Sequence, residues 1–60
     1  MRIKELREAA HITQQALADQ VGVIRSAVAN WESEVTLPKA RQLPVIAAAL
    51  SCSIDELFVR

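Results

Sequence analysis

Apolar residues recur at helical spacing along almost the whole chain and sort it into segments. From Arg2 to Ala10, Ile3, Leu6 and Ala10 stand three and four apart, with Glu5 and Glu8 among Arg2, Lys4 and Arg7 on the other side. This pattern predicts a first amphipathic helix. His11 interrupts it, and Thr13 then offers a hydroxyl as N-cap to QQALADQV, whose Leu17, Ala18 and Val21 form an inward stripe. Gly22 ends this second helix, because glycine enters the left-handed region without steric cost and is favoured just past a helix end.

A third helix follows almost at once, over about residues 24–32 of the stretch GVIRSAVANWES. At about 100° per residue, Arg25, Ser26, Ala29, Asn30 and Ser33 fall on one arc, and Ala27, Val28 and Trp31 on the other. The polar arc is not the Glu/Lys coat of a solvated helix. Arg, Ser and Asn can address a partner with a pattern of donors and acceptors.

Past the third helix, SEVTLPKARQ has no glycine, and Pro38 with the falling periodicity marks a loop of about eight to ten residues. Leu43, Ile46, Ala47 and Leu50 restore the core spacing, and Pro44 fits if a fourth helix starts near Leu43. Ser53 can cap a last short turn in which Asp55 and Glu56 meet the positive end and Ile54, Leu57 and Phe58 face inward. The expected fold is all-α, five helices without strands or internal repeats.

Composition narrows the possibilities. Sixty residues, 52% of them hydrophobic, with one Gly and two Pro, describe one folded domain over 1–60. A chain this short hides only roughly 60% of the surface its unfolded form exposes, which leaves room for one core and places function on a surface. Cys52 has no second thiol for a disulfide or a shared metal, which fits a reducing compartment. No apolar run approaches a membrane span, and the start MRIKELRE alternates in charge. A cytoplasmic protein with no cofactor, metal, membrane or small-molecule substrate is expected. Seven basic and seven acidic residues balance, so the distribution of charge matters more than its sum.

Two short helices joined through Gly22 form a sharp corner that needs a small residue where they cross, and Ala18 supplies it. Ala18, Gly22 and Val28, with Leu17, Val21, Val23 and Trp31 apolar, describe a helix-turn-helix. TQQALADQVGVIRSAVANWE resembles the DNA-binding motif of the Cro and phage-repressor family of bacterial and phage regulators. KELREAAHITQQALA is similar to that family's opening, LPVIAAALSCSIDELF to its fourth and fifth helices, and Leu43 with Pro44 resembles the lambdoid phage repressors.

The resemblance implies that the third helix enters the major groove while the second crosses the backbone. It then implies base reading by Arg25 at guanine, Asn30 at adenine and Ser26 at either, with Ala29 near a thymine methyl. Gln14 at the start of the second helix would meet a phosphate. Lys39 and Arg41, in the loop before the fourth helix, would contact phosphates, with Arg41 close to the minor groove.

Other residues read more simply. Arg7 and Glu32 stand where the family places a structural ion pair, and Trp31 has the spacing of a core residue. Cys52 matches a small apolar core position, and His11 is a turn residue without the neighbours a metal site needs. Four positions depart from the family pattern. Ile24 replaces a Ser or Thr cap, Glu34 a usual glycine with Val35 in place of a basic residue, and Ser51 a glycine after the fourth helix. A carboxylate at position 34 opposes phosphate and predicts modest affinity.

The function expected is that of a sequence-specific, double-stranded DNA-binding transcriptional regulator, a repressor, acting as a homodimer on a pseudo-palindromic operator. Leu57, Phe58 and Val59 are the expected dimer surface. The alternative is a protein-interaction module, such as an antitoxin or regulatory subunit, which the zero net charge and Glu34 favour. No nucleophile, base and oxyanion donor are arranged for catalysis.

Overall fold

A computed structural model describes residues 1–58. Its helices are α1 (Ile3–Ala9), α2 (Gln14–Val21), α3 (Arg25–Glu32), α4 (Leu43–Ala49) and α5 (Ile54–Phe58), with a 3₁₀ turn at Ala40–Gln42 before α4. No strand occurs among the described residues. α2 lies centrally, packed on α3 and α4, while α1 rests on α3 and α5 on α4. Ile3, Leu17, Ala18, Val28, Trp31, Ile46, Ala47, Leu50 and Leu57 form one core. Ala18 is fully buried, as a tight corner between α2 and α3 requires.

Helix starts follow the sequence where a capping oxygen is present. Thr13 Oγ1 accepts from the Ala16 N–H at 3.0 Å. In front of α5, the Ser53 N–H donates to Glu56 Oε1 at 2.9 Å and the Glu56 N–H donates to Ser53 Oγ at 3.2 Å, a reciprocal capping box. Pro44 lies in the first turn of α4, where its missing N–H goes unneeded. α3 starts at Arg25, with Ile24 at the N-cap and no side-chain oxygen to bond the first turn.

Helices α1 to α4 all end in the same way. A left-handed residue follows each, and the next N–H reaches back to a carbonyl five residues earlier: Ile12 to Arg7 at 3.0 Å, Val23 to Ala18 at 3.0 Å, Val35 to Asn30 at 2.9 Å and Cys52 to Ala47 at 2.9 Å. The left-handed residues are His11 (φ 58°), Gly22 (φ 85°), Glu34 (φ 63°) and Ser51 (φ 54°). Only Gly22 adopts that conformation without cost. A Cβ at Gly22 would meet nothing within 4 Å, so its φ alone demands glycine there.

Several expectations need correction. Arg2 and Ala10 flank α1 rather than belonging to it. Ala10 is exposed, and Arg7, which periodicity put outside, is buried. Ile54 and Phe58 are 39% and 55% exposed, because five residues of α5 present only one side to α4, the side of Leu57. Leu57 is wholly buried and the Arg2 N–H donates to its carbonyl at 2.8 Å, so its side chain has no surface to offer a partner. Of the expected dimer surface, Phe58 is exposed, and Val59 lies outside the described residues.

Candidate nucleic-acid interface

The two arcs of α3 separate as the spacing predicts. Val28 and Trp31 are buried in the core, whereas Arg25, Ser26 and Asn30 are exposed and Ala29 is half-buried. Only three residues, Gly22 to Ile24, separate α2 from α3. That corner brings the first residues of both helices together: the Arg25 guanidinium donates from Nη1 to Gln14 Oε1 at 3.3 Å. Nε and Nη2 of Arg25 have no partner among the described residues and remain available for a two-pronged contact.

Gln14 is half-buried, and its amide works in both directions. Nε2 donates to Glu32 Oε1 at 3.0 Å, at the other end of α3. Glu32 in turn accepts from Arg7 twice, from Nε at 2.7 Å and from Nη2 at 3.2 Å, and Arg7 Nη1 donates to the Ile12 carbonyl at 2.8 Å. The Arg7 and Glu32 side chains are only 10% and 6% exposed. Burial alone would push the Glu32 carboxyl up. The hydrogen bonds from Arg7 and Gln14, with the Arg7 charge, overcome it and hold the carboxyl below the usual carboxylate range. A continuous relay, Arg7, Glu32, Gln14, Arg25, thus ties α1 to both ends of α3.

Sequence reasoning assigned Gln14 to a phosphate and missed its link to Arg25. The signal was available: Gln14 and Arg25 are the first residues of consecutive helices across a three-residue corner. One N–H of the Gln14 amide remains uncommitted beside its bond to Glu32.

Lys39 and Arg41 are both exposed, at the start of and within the 3₁₀ turn, and their side chains have no hydrogen-bond partner among the described residues. The turn is braced from inside, because the Lys39 N–H donates to Gln42 Oε1 at 2.8 Å and the Gln42 N–H donates to the Lys39 carbonyl at 2.8 Å. Glu34 is exposed, and its carboxylate lies 3.7 Å from the Met1 ammonium. That partner offsets part of the negative charge expected to oppose a phosphate.

No pocket opens, and no three His, Cys, Asp or Glu side chains gather as a metal site, among the described residues. Cys52 is half-buried, and burial pushes its thiol up, which keeps it protonated at neutral pH. Among the described residues, no helix is long and apolar enough to cross a membrane.

Comparison with known proteins adds to this geometry. A helix-turn-helix family model matches residues 3–57. The chain is 39% identical over 57 residues to repressor protein C2 of Salmonella phage P22, covering 95% of this chain and 26% of that protein. It is 41% identical over 64 residues to the cryptic phage CTXphi transcriptional repressor RstR of Vibrio cholerae, covering 100% of this chain and 57% of the relative. The HTH-type transcriptional activator BcrR of Enterococcus faecalis is 38% identical over 57 residues, 95% of this chain and 28% of BcrR. The chain therefore spans between about a quarter and just over half of these relatives. Among solved structures, the solution structure of the P22 C2 repressor DNA-binding domain superposes with a TM-score of 0.90 at 38% identity, covering 95% of this chain and 75% of that one.

Proposed function

The chain belongs to the helix-turn-helix family of Cro and phage-repressor proteins, and from that premise we propose that it is a sequence-specific, double-stranded DNA-binding regulator of transcription acting as a repressor. The observation that carries this reading is the exposed polar face of α3, with its first residue, Arg25, held against the start of α2 by Gln14. In this reading α3 enters the major groove. Arg25 contacts guanine, Asn30 adenine and Ser26 either, while Ala29 approaches a thymine methyl.

Gln14 offers its remaining amide N–H to a phosphate at the positive end of α2, and Lys39 and Arg41 hold phosphates beside the 3₁₀ turn. The unit is a single domain over residues 1–60, cytoplasmic, without cofactor or catalysis. Two copies bind a pseudo-palindrome about one helical turn from half-site to half-site. The repressor assignment is supported by the names of the C2 and RstR relatives.

Selection from a randomised duplex library at low salt, followed by fluorescence anisotropy across a salt series, tests the proposal. Enrichment of an inverted repeat bound in a salt-dependent way supports it and reports the half-site spacing. Uniform weak binding to every duplex would move the assignment to a protein-interaction module such as an antitoxin. One observation favours that second reading: Ile24, just before α3, and Val35 and Leu37, after it, are 72%, 69% and 71% exposed.

A further inference from the structure

Glu32 belongs to the pair that ties α1 to α3, and through Gln14 it also reaches the corner where α3 begins. Arg25 and Glu32 are the first and last residues of α3, two turns apart on the same side of the helix and about 10 Å from each other along its axis. Gln14 spans that gap. Its Nε2 donates to Glu32 Oε1 at 3.0 Å, and its Oε1 accepts from Arg25 Nη1 at 3.3 Å.

The two ends of this amide are not interchangeable. A carboxylate only accepts and a guanidinium only donates, so one orientation of the Gln14 amide satisfies both neighbours and the reverse satisfies neither. Glu32 is the neighbour that dictates the choice. Its side chain is 6% exposed and held by two bonds from Arg7, whereas Arg25 is exposed and free to turn into solvent.

The effect of replacing the carboxylate by an amide follows atom by atom. In a Glu32→Gln variant the new side chain keeps its oxygen on the shortest of the three bonds, the 2.7 Å contact with Arg7 Nε, and so places its NH2 where Oε1 faced Gln14. Gln14 must then turn its oxygen toward position 32. Its own NH2 meets the Arg25 guanidinium, donor against donor.

We infer that Glu32 is a positioning residue for recognition: by accepting from Gln14 it fixes which end of that amide faces Arg25, and so holds the Arg25 guanidinium toward the base it reads. The inference rests on the DNA-binding reading above. It gives the buried carboxylate a second role, because the group that closes α1 onto α3 also sets a base preference two turns away.

Three variants separate this role from a structural one. Glu32→Gln reverses the amide. The pair of changes Arg7→Met with Glu32→Leu leaves no uncompensated charge inside and removes the acceptor altogether. Arg7→Lys weakens the buried pair but leaves the carboxylate in place. NMR of the nitrogen-15-labelled chain without DNA reads the Gln14 amide directly. Anisotropy on the selected duplex, with the Arg25-dependent base pair changed in turn to each alternative, reads the preference, below the thermal midpoint of every variant.

In the wild type and Arg7→Lys, the strongest Overhauser contacts of the Gln14 amide protons should be to the Glu32 methylenes, and in Glu32→Gln they should move to those of Arg25. The preference should fall about fivefold in both variants that lack the carboxylate, the worth of one hydrogen bond, and stay within about twofold of the wild type in Arg7→Lys. A preference that follows the thermal midpoint instead of the carboxylate, or a Gln14 amide that does not turn in Glu32→Gln, would overturn the role of Glu32. If an Arg25-dependent preference survives in that case, the DNA-binding reading stands and only this role falls. Failure of the library to yield any preferred duplex overturns both.

Discussion

Gln14 and Arg25 are joined by a hydrogen bond of 3.3 Å across the corner between α2 and α3, and the same Gln14 amide holds Glu32 at the far end of α3. Arg25 is therefore restrained before any partner arrives, and less side-chain freedom remains to be lost when it engages. Replacing Gln14 with Ala should weaken binding to the selected duplex by about 1 kcal/mol, the usual worth of one hydrogen bond. A double-mutant cycle with Arg25→Ala should show the two changes to be less than additive. Additivity would mean that the bond has no part in recognition.

Base readers and phosphate contacts should separate by assay. Arg25→Ala and Asn30→Ala should each cost about 1–3 kcal/mol on the preferred duplex and relax the preference at one position. Lys39→Ala and Arg41→Ala should weaken all duplexes alike, each lowering the salt slope by about one. A repeat of the library selection with each variant distinguishes the two classes, and an unchanged slope removes that residue from the phosphate contacts.

The Arg7–Glu32 pair predicts a large, one-sided effect on stability. Both side chains are nearly buried, so Arg7→Met leaves the Glu32 carboxylate short of two donors and should cost about 3–5 kcal/mol in urea denaturation. Changing both partners, Arg7→Met with Glu32→Leu, should recover much of that loss, because no uncompensated charge remains inside. A double variant no more stable than the single one would contradict this account.

Acid should reveal the same pair. The folded carboxyl of Glu32 is held below the ordinary value of 4.5, so its contribution is complete above that pH and is lost as pH falls through the lowered folded value. Stability measured between neutral pH and strong acid should decline below about pH 4.5, and Glu32→Gln should flatten that decline. Glu5 and Glu56 are also lowered, by Arg2 and by the Ser53 backbone N–H respectively. Both residues are exposed, and solvent screens their share.

Left-handed helix ends give predictions of opposite sign at like positions. His11→Gly, Glu34→Gly and Ser51→Gly should each raise stability by about 0.5–1 kcal/mol, since the strain relieved exceeds the entropy glycine adds to the unfolded chain. Gly22→Ala should lower it by about 1 kcal/mol or more, through φ alone. In a chain of this size, 1 kcal/mol moves the thermal midpoint by about 4–8 °C, well within calorimetric reach.

Much of this molecule is written in local signals, and its misreadings share a cause. Thr13 and Gly22 bracket α2, and both of its bounds follow from them. The start of α3 is less sharply marked, because Ile24 at its N-cap carries no capping oxygen. Arg7 looks like a surface charge to any periodicity, since the partner that permits its burial stands 25 residues away. Only the family resemblance supplied that pair. The turn at Ala40–Gln42 depends on the Lys39 N–H donating to Gln42 Oε1, a bond that has no compositional signature. The polar arc of α3 was legible from spacing, whereas the bridge from Gln14 to Arg25 needed the angle of the corner.

His11 and Ser51 close α1 and α4 in a conformation suited to glycine, and neither is among the residues proposed to touch DNA. Their strain can be released without altering a single reading residue. The chain therefore has latitude for divergence: substitutions on α3 that retarget it to a new operator, even at some loss of stability, can be compensated at these two distant corners. Recognition and foldability can then change on separate parts of the same sixty residues.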